Sequence, residues 1–157
     1  MVRHVVLPKA QTLCFPGARV LDIKVKLPSL LDQYPSASTV ILHIGSNDIK
    51  AQQSEKLKKD FISLIDTLLD SRAQCVISGP MPSPCWGDIK FSRLLNLHIW
   101  LKGYCRSLGI PFIDNFTTFL DRPTLFRYDG LHLNWSGSRL LANNMALTLK
   151  SCKSLCN

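Results

Sequence analysis

The chain has 157 residues, 46% of them hydrophobic and 19% charged, with a formal net charge of +8. That length suits one globular domain and excludes two of ordinary size, and no apolar run approaches the ~18–20 residues of a membrane span. The opening Met1-Val2-Arg3-His4-Val5-Val6-Leu7-Pro8 is too short and too soon broken by proline for a secretory signal, so a soluble, cytoplasmic protein is expected.

Gln11-Thr12-Leu13-Cys14-Phe15 is a weak strand candidate closed by Pro16-Gly17. A helix is expected over Val20 to Leu31, ended early or kinked by Pro28, because proline lacks an N–H and crowds the preceding turn. Thr39-Val40-Ile41-Leu42-His43-Ile44 reads as a buried parallel strand, a short β-branched run ended by turn residues. Ser54 then caps a helix in which Leu57, Phe61, Leu64, Ile65, Leu68 and Leu69 recur at helical spacing.

Cys75-Val76-Ile77-Ser78 forms the next strand. Phe91, Leu94, Leu95, Ile99, Leu101 and Tyr104 to Leu108 outline another helix, stopped by Gly109. In the third strand, Ile110-Pro111-Phe112-Ile113, the proline confines the run to an edge or delays pairing until after Pro111. A last helix starts near Ser136 and carries Leu140, Leu141, Met145 and Leu149.

Strands alternating with helices argue for an α/β sandwich built on a parallel sheet, whose functional groups gather beyond the carboxyl ends of the strands. Four polar clusters fall at or after such ends: Pro16-Gly17-Ala18, Gly45-Ser46-Asn47-Asp48, Ser78-Gly79-Pro80 and Asp129-Gly130-Leu131-His132. In the last, a carboxylate stands three residues from an imidazole, which it can orient and stabilise when protonated, making a general base. A side-chain amide and backbone N–H groups at a strand end can stabilise an oxyanion. Each cluster also has an ordinary reading, since Asn and Asp close turns on their own backbone, Pro16-Gly17 is a turn, and His132 suits a surface loop. Only the combination, in this order, points to a serine-esterase site.

The six cysteines (Cys14, Cys75, Cys85, Cys105, Cys152, Cys156) lie among apolar strand-like and helix-like residues with no C-x-x-C pair, and are expected as buried free thiols. Without a secretory signal, the glycosylation patterns at Asn115-Phe116-Thr117 and Asn134-Trp135-Ser136 are chance matches. The positive charge is scattered, with no run longer than Lys58-Lys59. It either attracts an anionic partner, nucleic acid or an acidic membrane surface, or simply solubilises the protein.

Gly45-Ser46-Asn47-Asp48 resembles the third block of the SGNH (GDSL-like) hydrolases, Asp129-x-x-His132 resembles the fifth, and Gly17 falls where the glycine of the second would sit. Over Cys14-Phe15-Pro16-Gly17-Ala18, Ile77-Ser78-Gly79-Pro80 and Arg127-Tyr128-Asp129-Gly130-Leu131-His132-Leu133-Asn134 the chain resembles the esterase domains carried by vertebrate, especially fish, non-LTR retrotransposons. The resemblance implies a flavodoxin-like three-layer α/β sandwich spanning residues 1–157 as a single domain. It implies hydrolysis of an acyl ester, lipids included, through an acyl-enzyme, with no metal or organic cofactor. His132 would be the base, Asp129 its orienting partner, and Asn47 and Gly17 the oxyanion donors. Met81 to Lys90, with Pro82, Pro84 and Trp86, would be either a flexible rim over the acyl pocket or a rigid connector.

Members of that family place Gly-Asp-Ser at the end of the first strand, shortly before a segment like Val2-Arg3-His4-Val5. Here Met1 stands where that motif should be finishing. The expectation is an N-terminally incomplete domain lacking its central first strand and its nucleophile, hence a pseudoenzyme as written. Loss of such a nucleophile costs on the order of 10⁶ in turnover. Neither Ser46 nor Ser78 has the sharp elbow that would expose a substitute hydroxyl. Two other readings stay open: a non-catalytic basic module binding RNA, lipid or a protein partner, and a retrotransposon-derived relic.

Overall fold

Three β-branched runs pair side by side in a computed structural model that describes residues 9–51 and 53–154. They are β1 (Thr39–Leu42), β2 (Gln74–Ser78) and β3 (Phe112–Ile113), all parallel, in the order β1-β2-β3. The register runs from Thr39 opposite Gln74 to Leu42 opposite Ile77, and Ile77 and Ser78 then face Phe112 and Ile113. Among the described residues β3 is an edge strand, and it enters the ladder only after Pro111, whose carbonyl accepts the Ile77 N–H at 3.0 Å.

The connecting helices are α1 (Val20–Gln33), α2 (Ser54–Leu69), α3 (Asp88–Ser107), the short α4 (Asn115–Phe119) and α5 (Trp135–Ser154). Successive strand residues point to opposite faces, so Leu42, Cys75 and Ile77 pack with Ile23, Phe61, Leu64 and Leu94 of the first three helices. Val76 and Ile113 point the other way, against Phe119 of α4 and Leu141 and Met145 of α5. The result is three layers, with helices on both faces of the sheet. Among the described residues, no helix is long and apolar enough to cross a membrane.

Several expectations need correction. Residues 11–15 lie in none of the three strands, and four of their five side chains are exposed. α1 runs through Pro28 to Gln33. Pro28 lies on the solvent side while Leu27 beside it is buried, so the unbonded carbonyl one turn back is left on the watered side of the helix. β1 stops at Leu42, two residues early, as the chain turns toward Gly45. Cys75, Cys105 and Cys152 are buried thiols, whereas Cys14 and Cys85 sit in exposed loop segments; Cys156 and the Val2-Arg3-His4-Val5 segment lie outside the described residues.

The edge of β1 facing away from β2 carries no strand among the described residues. Thr39, Val40 and Ile41 are half-buried, while Cys75 to Ser78 of β2 are buried throughout.

Because Pro28 sits at an exposed position inside a continuous helix, Pro28→Ala should stabilise the protein by about 1–3 kcal/mol, the helix gain less the entropy proline removes from the unfolded chain. Urea unfolding checks this: the midpoint should rise with an unchanged slope.

Candidate active site

The Phe15-Pro16-Gly17-Ala18 turn is closed by the Ala18 N–H donating to the Phe15 carbonyl at 3.1 Å. Proline at its second position and Gly17 at φ +76° in its third are what a type II turn requires. The chain then enters α1, whose first N–H groups are free of helical partners. The Arg19 N–H donates to Asp22 Oδ2 at 2.8 Å, and the Val20 N–H to Asp48 Oδ2 at 3.2 Å. Burial raises the Asp48 pKa, against the opposing bond from Val20.

Beside Asp48, the Asn47 Nδ2 donates to the Ala18 carbonyl at 2.9 Å. These two bonds stitch the block after β1 to the Gly17 turn. The block starts at Gly45, where φ is +105° and a Cβ would meet Phe61 Cζ at 2.9 Å, so no larger residue fits. A primary amide has two N–H groups; one of Asn47's is spent on Ala18, and the second can serve an oxyanion. A cleft of about 550 Å³ lined by Phe15, Pro16, Gly17, Val25 and Lys26 opens beside this turn.

The imidazole side is built locally. A bridge between Phe126 and Leu133, and the Arg127 N–H bonded to the His132 carbonyl at 2.7 Å, close the loop of residues 127–132. Asp129 Oδ1 accepts the N–H groups of Leu131 and His132, each at 2.9 Å, and Oδ2 lies 2.5 Å from His132 Nδ1. The backbone bond from His132, its ring bond and the Leu131 bond hold the Asp129 carboxyl well below the usual carboxylate range. An ionised carboxylate only accepts, so Nδ1 carries the proton and Nε2 is left as the basic nitrogen.

Ser83, buried in the segment that follows β2, donates its hydroxyl to the Gly130 carbonyl. This bond, with Pro82 also buried, makes the proline-rich segment a strut for the His132 loop rather than an open rim. Asn134 completes the anchoring: its Nδ2 donates to Thr124 O at 2.7 Å and its Oδ1 accepts the Gly137 N–H at 3.0 Å, capping α5. Asn47 and Gly17 are thus held together beyond β1, while Asp129 and His132 are held together beyond β2, at the same end of the sheet. The two halves share no hydrogen bond among the described residues.

Sequence reasoning missed a third polar group. His43 Nδ1 lies 3.0 Å from Ser78 Oγ, and the Asn115 Nδ2 donates to Ser78 Oγ at 2.8 Å and to the Gly79 carbonyl at 2.9 Å. Serine and imidazole stand at nucleophile–base distance, yet Ser78 is 1% exposed and burial pushes His43 down to about 4, too weak a base for neutral pH. The group ties the carboxyl ends of all three strands together. No local pattern announces it, because its members come from three stretches of chain far apart in sequence, one at the end of each strand. Among the described residues, no three His, Cys, Asp or Glu side chains gather as metal ligands.

A sequence profile of the GDSL-like Lipase/Acylhydrolase family matches residues 4–140. The chain is similar to the esterase domain of the ZfL2-1 ORF1 protein from the zebrafish ZfL2-1 retrotransposon, with 44% identity over 95% of this chain and 93% of that one and a TM-score of 0.60. The psychrotrophic esterase EstA from Pseudoalteromonas sp. shares 21% identity over 90% of this chain and 75% of its own, with a TM-score of 0.68. A GDSL-like lipase from Bacteroides thetaiotaomicron shares 13% identity over 87% and 73%, with a TM-score of 0.76. These last two show likeness of fold alone. No curated protein sequence matches the chain.

A histidine whose folded pKa lies near 4 and whose unfolded pKa lies near ~6.5 binds more protons when unfolded between those values. The stability it contributes is full above about pH 6.5 and is lost as pH falls toward about 4. The urea midpoint should therefore decline across that window, and His43→Asn should flatten the decline.

Proposed function

The chain belongs to the GDSL-like lipase/acylhydrolase family, and on that premise we propose that it is an SGNH hydrolase-type esterase domain of retrotransposon kind in which His132 is the general base. Asp129 orients the imidazole and stabilises its protonated form, and Asn47 and Gly17 donate to the oxyanion. The observation that carries this reading is the Asp129–His132 pair, whose Nδ1 is committed to an ionised carboxylate, leaving Nε2 free to take a proton.

The chemistry follows from those roles. A serine hydroxyl gives its proton to His132 Nε2 as it attacks the acyl carbonyl. The negative charge that develops on the carbonyl oxygen meets the second Asn47 N–H and the Gly17 N–H. The imidazolium returns the proton to the leaving alcohol, and water, deprotonated by the same nitrogen, releases the acid. The cleft beside Gly17 is the natural seat for part of the ester.

The 157 residues contain no Gly-Asp-Ser, and Ser78 is buried behind Asn115. We take this polypeptide by itself to be inactive, its fold a flavodoxin-like sandwich whose first strand would lie against the edge of β1 that carries no strand among the described residues. The half-buried Thr39, Val40 and Ile41 support that position.

Purified residues 1–157 should show no hydrolysis of short p-nitrophenyl esters that depends on His132. Preceded by a strand of about four to six β-branched residues ending in Gly-Asp-Ser, the protein should gain thermal stability and hydrolyse these esters. In that extended protein, His132→Ala should abolish turnover, and Asn47→Ala should slow it by about 10²–10³, the usual loss of one oxyanion donor. Asp129→Asn should cost on the order of 10³–10⁴ through the wrong imidazole tautomer. A cooperatively folded extended protein whose residual rate ignores His132→Ala would overturn the assignment.

A further inference from the structure

The bonds that tie the strand ends together all run one way. The Gly79 carbonyl only accepts, so the Asn115 amide atom 2.9 Å from it is the nitrogen. That nitrogen has a second N–H, which it gives to Ser78 Oγ at 2.8 Å. Ser78 is 1% exposed, and its own hydroxyl proton is satisfied by His43 Nδ1, 3.0 Å away. Were Nδ1 protonated, that hydroxyl would be a buried donor without an acceptor. His43 is neutral at neutral pH, because burial pushes its pKa down to about 4. Its one ring proton therefore stands on Nε2.

The two nitrogens of an imidazole face away from each other. With Nδ1 turned to Ser78 at the end of β2, the Nε2–H is turned away from β2. His43 follows Leu42, the last residue of β1, and its ring is half-buried. The other side of β1 is the edge that carries no strand among the described residues, and among those residues Nε2 has no hydrogen-bond partner. The first strand proposed above would end at this level, with Gly-Asp-Ser beside His43. We propose that the His43 Nε2–H holds the end of that strand by donating to one of its oxygen acceptors, which makes His43 a positioning residue for the attacking hydroxyl. A ring fixed at Nδ1 by a buried serine is aimed before the strand arrives, so little rotamer freedom is lost when the bond forms. This role rests on the esterase reading and on the place of the strand beside β1; the tautomer does not.

Nitrogen NMR of the 157-residue protein at neutral pH should show His43 with its proton on Nε2 and a bare Nδ1. In the protein extended by a strand ending in Gly-Asp-Ser, that N–H should exchange with water at least about tenfold more slowly. Kinetics of the extended protein then separate the two ring nitrogens. Glutamine places its amide nitrogen near the position of Nε2, whereas asparagine reaches only as far as Nδ1. His43→Leu should lower kcat by about 10–10² with KM changed less than about twofold, the effect of a misplaced nucleophile. His43→Gln should regain most of that loss, and His43→Asn should not. If His43 served only to satisfy Ser78, asparagine would rescue and glutamine would not, and that order overturns the proposal. So does a proton found on Nδ1, an N–H that exchanges equally fast in both proteins, or turnover indifferent to all three substitutions. Each of these outcomes is compatible with hydrolysis that depends on His132, and leaves the roles of Asp129 and His132 standing. An extended protein that stays inactive while the Nε2–H is protected sinks the esterase reading and leaves the His43 contact in place.

Discussion

β2 is walled by helices on both faces, and the placement of everything else follows from that burial. Cys75 and Ile77 must point into the layer made by α1, α2 and α3, and Val76 into the layer made by α4 and α5. A slip of one residue would turn each side chain to the wrong layer, so the register with β1 and β3 is held by packing as much as by hydrogen bonds. With register set, the three carboxyl ends fall at one edge of the sandwich. The bonds among His43, Ser78 and Asn115 then fasten those ends to one another. Asn47 stands on the loop that leaves β1 at this edge and is bonded to the Gly17 turn, and the Asp129–His132 loop is bonded to Ser83 in the segment that leaves β2.

The sequence carried the parts of this fold that depend on near neighbours. Short β-branched runs marked all three strands, and Pro111 correctly delayed the pairing of β3. Helical spacing marked α2, α3 and α5, with boundaries differing by one to three residues where Gln53, Gly87 and Asn134 begin the helices. The Asp129–His132 pair was visible because both members lie in one four-residue segment whose backbone geometry brings them together.

What was hidden depended on distant partners. A five-residue run ending at Phe15 has a strand's composition, but composition alone does not place a run in a sheet, and this one is largely exposed outside the three strands. Pro28 looked like a kink or an early end because sequence does not say which side of a helix faces water. Asn115 looked like a chance glycosylation site, whereas its amide reaches a serine 37 residues away and is fully buried. Asp48, in the block that suggested chemistry, turns out to cap α1.

The two halves of the site differ in how the chain must travel to build them. Asp129 and His132 are three residues apart, and their bonds close almost no loop. The Asn47–Ala18 and Asp48–Val20 bonds join groups 29 and 28 residues apart, and can form only after the start of α1 has folded back beside the segment that follows β1. Closing a loop of that length sacrifices chain entropy that a few hydrogen bonds cannot restore alone, so those contacts wait on the packing of α1 against α2. During folding, the proton-accepting half can therefore take shape within a single turn of chain. The half that would stabilise negative charge arrives only with the assembled sandwich, which keeps a partly folded chain from holding the two halves in working order together.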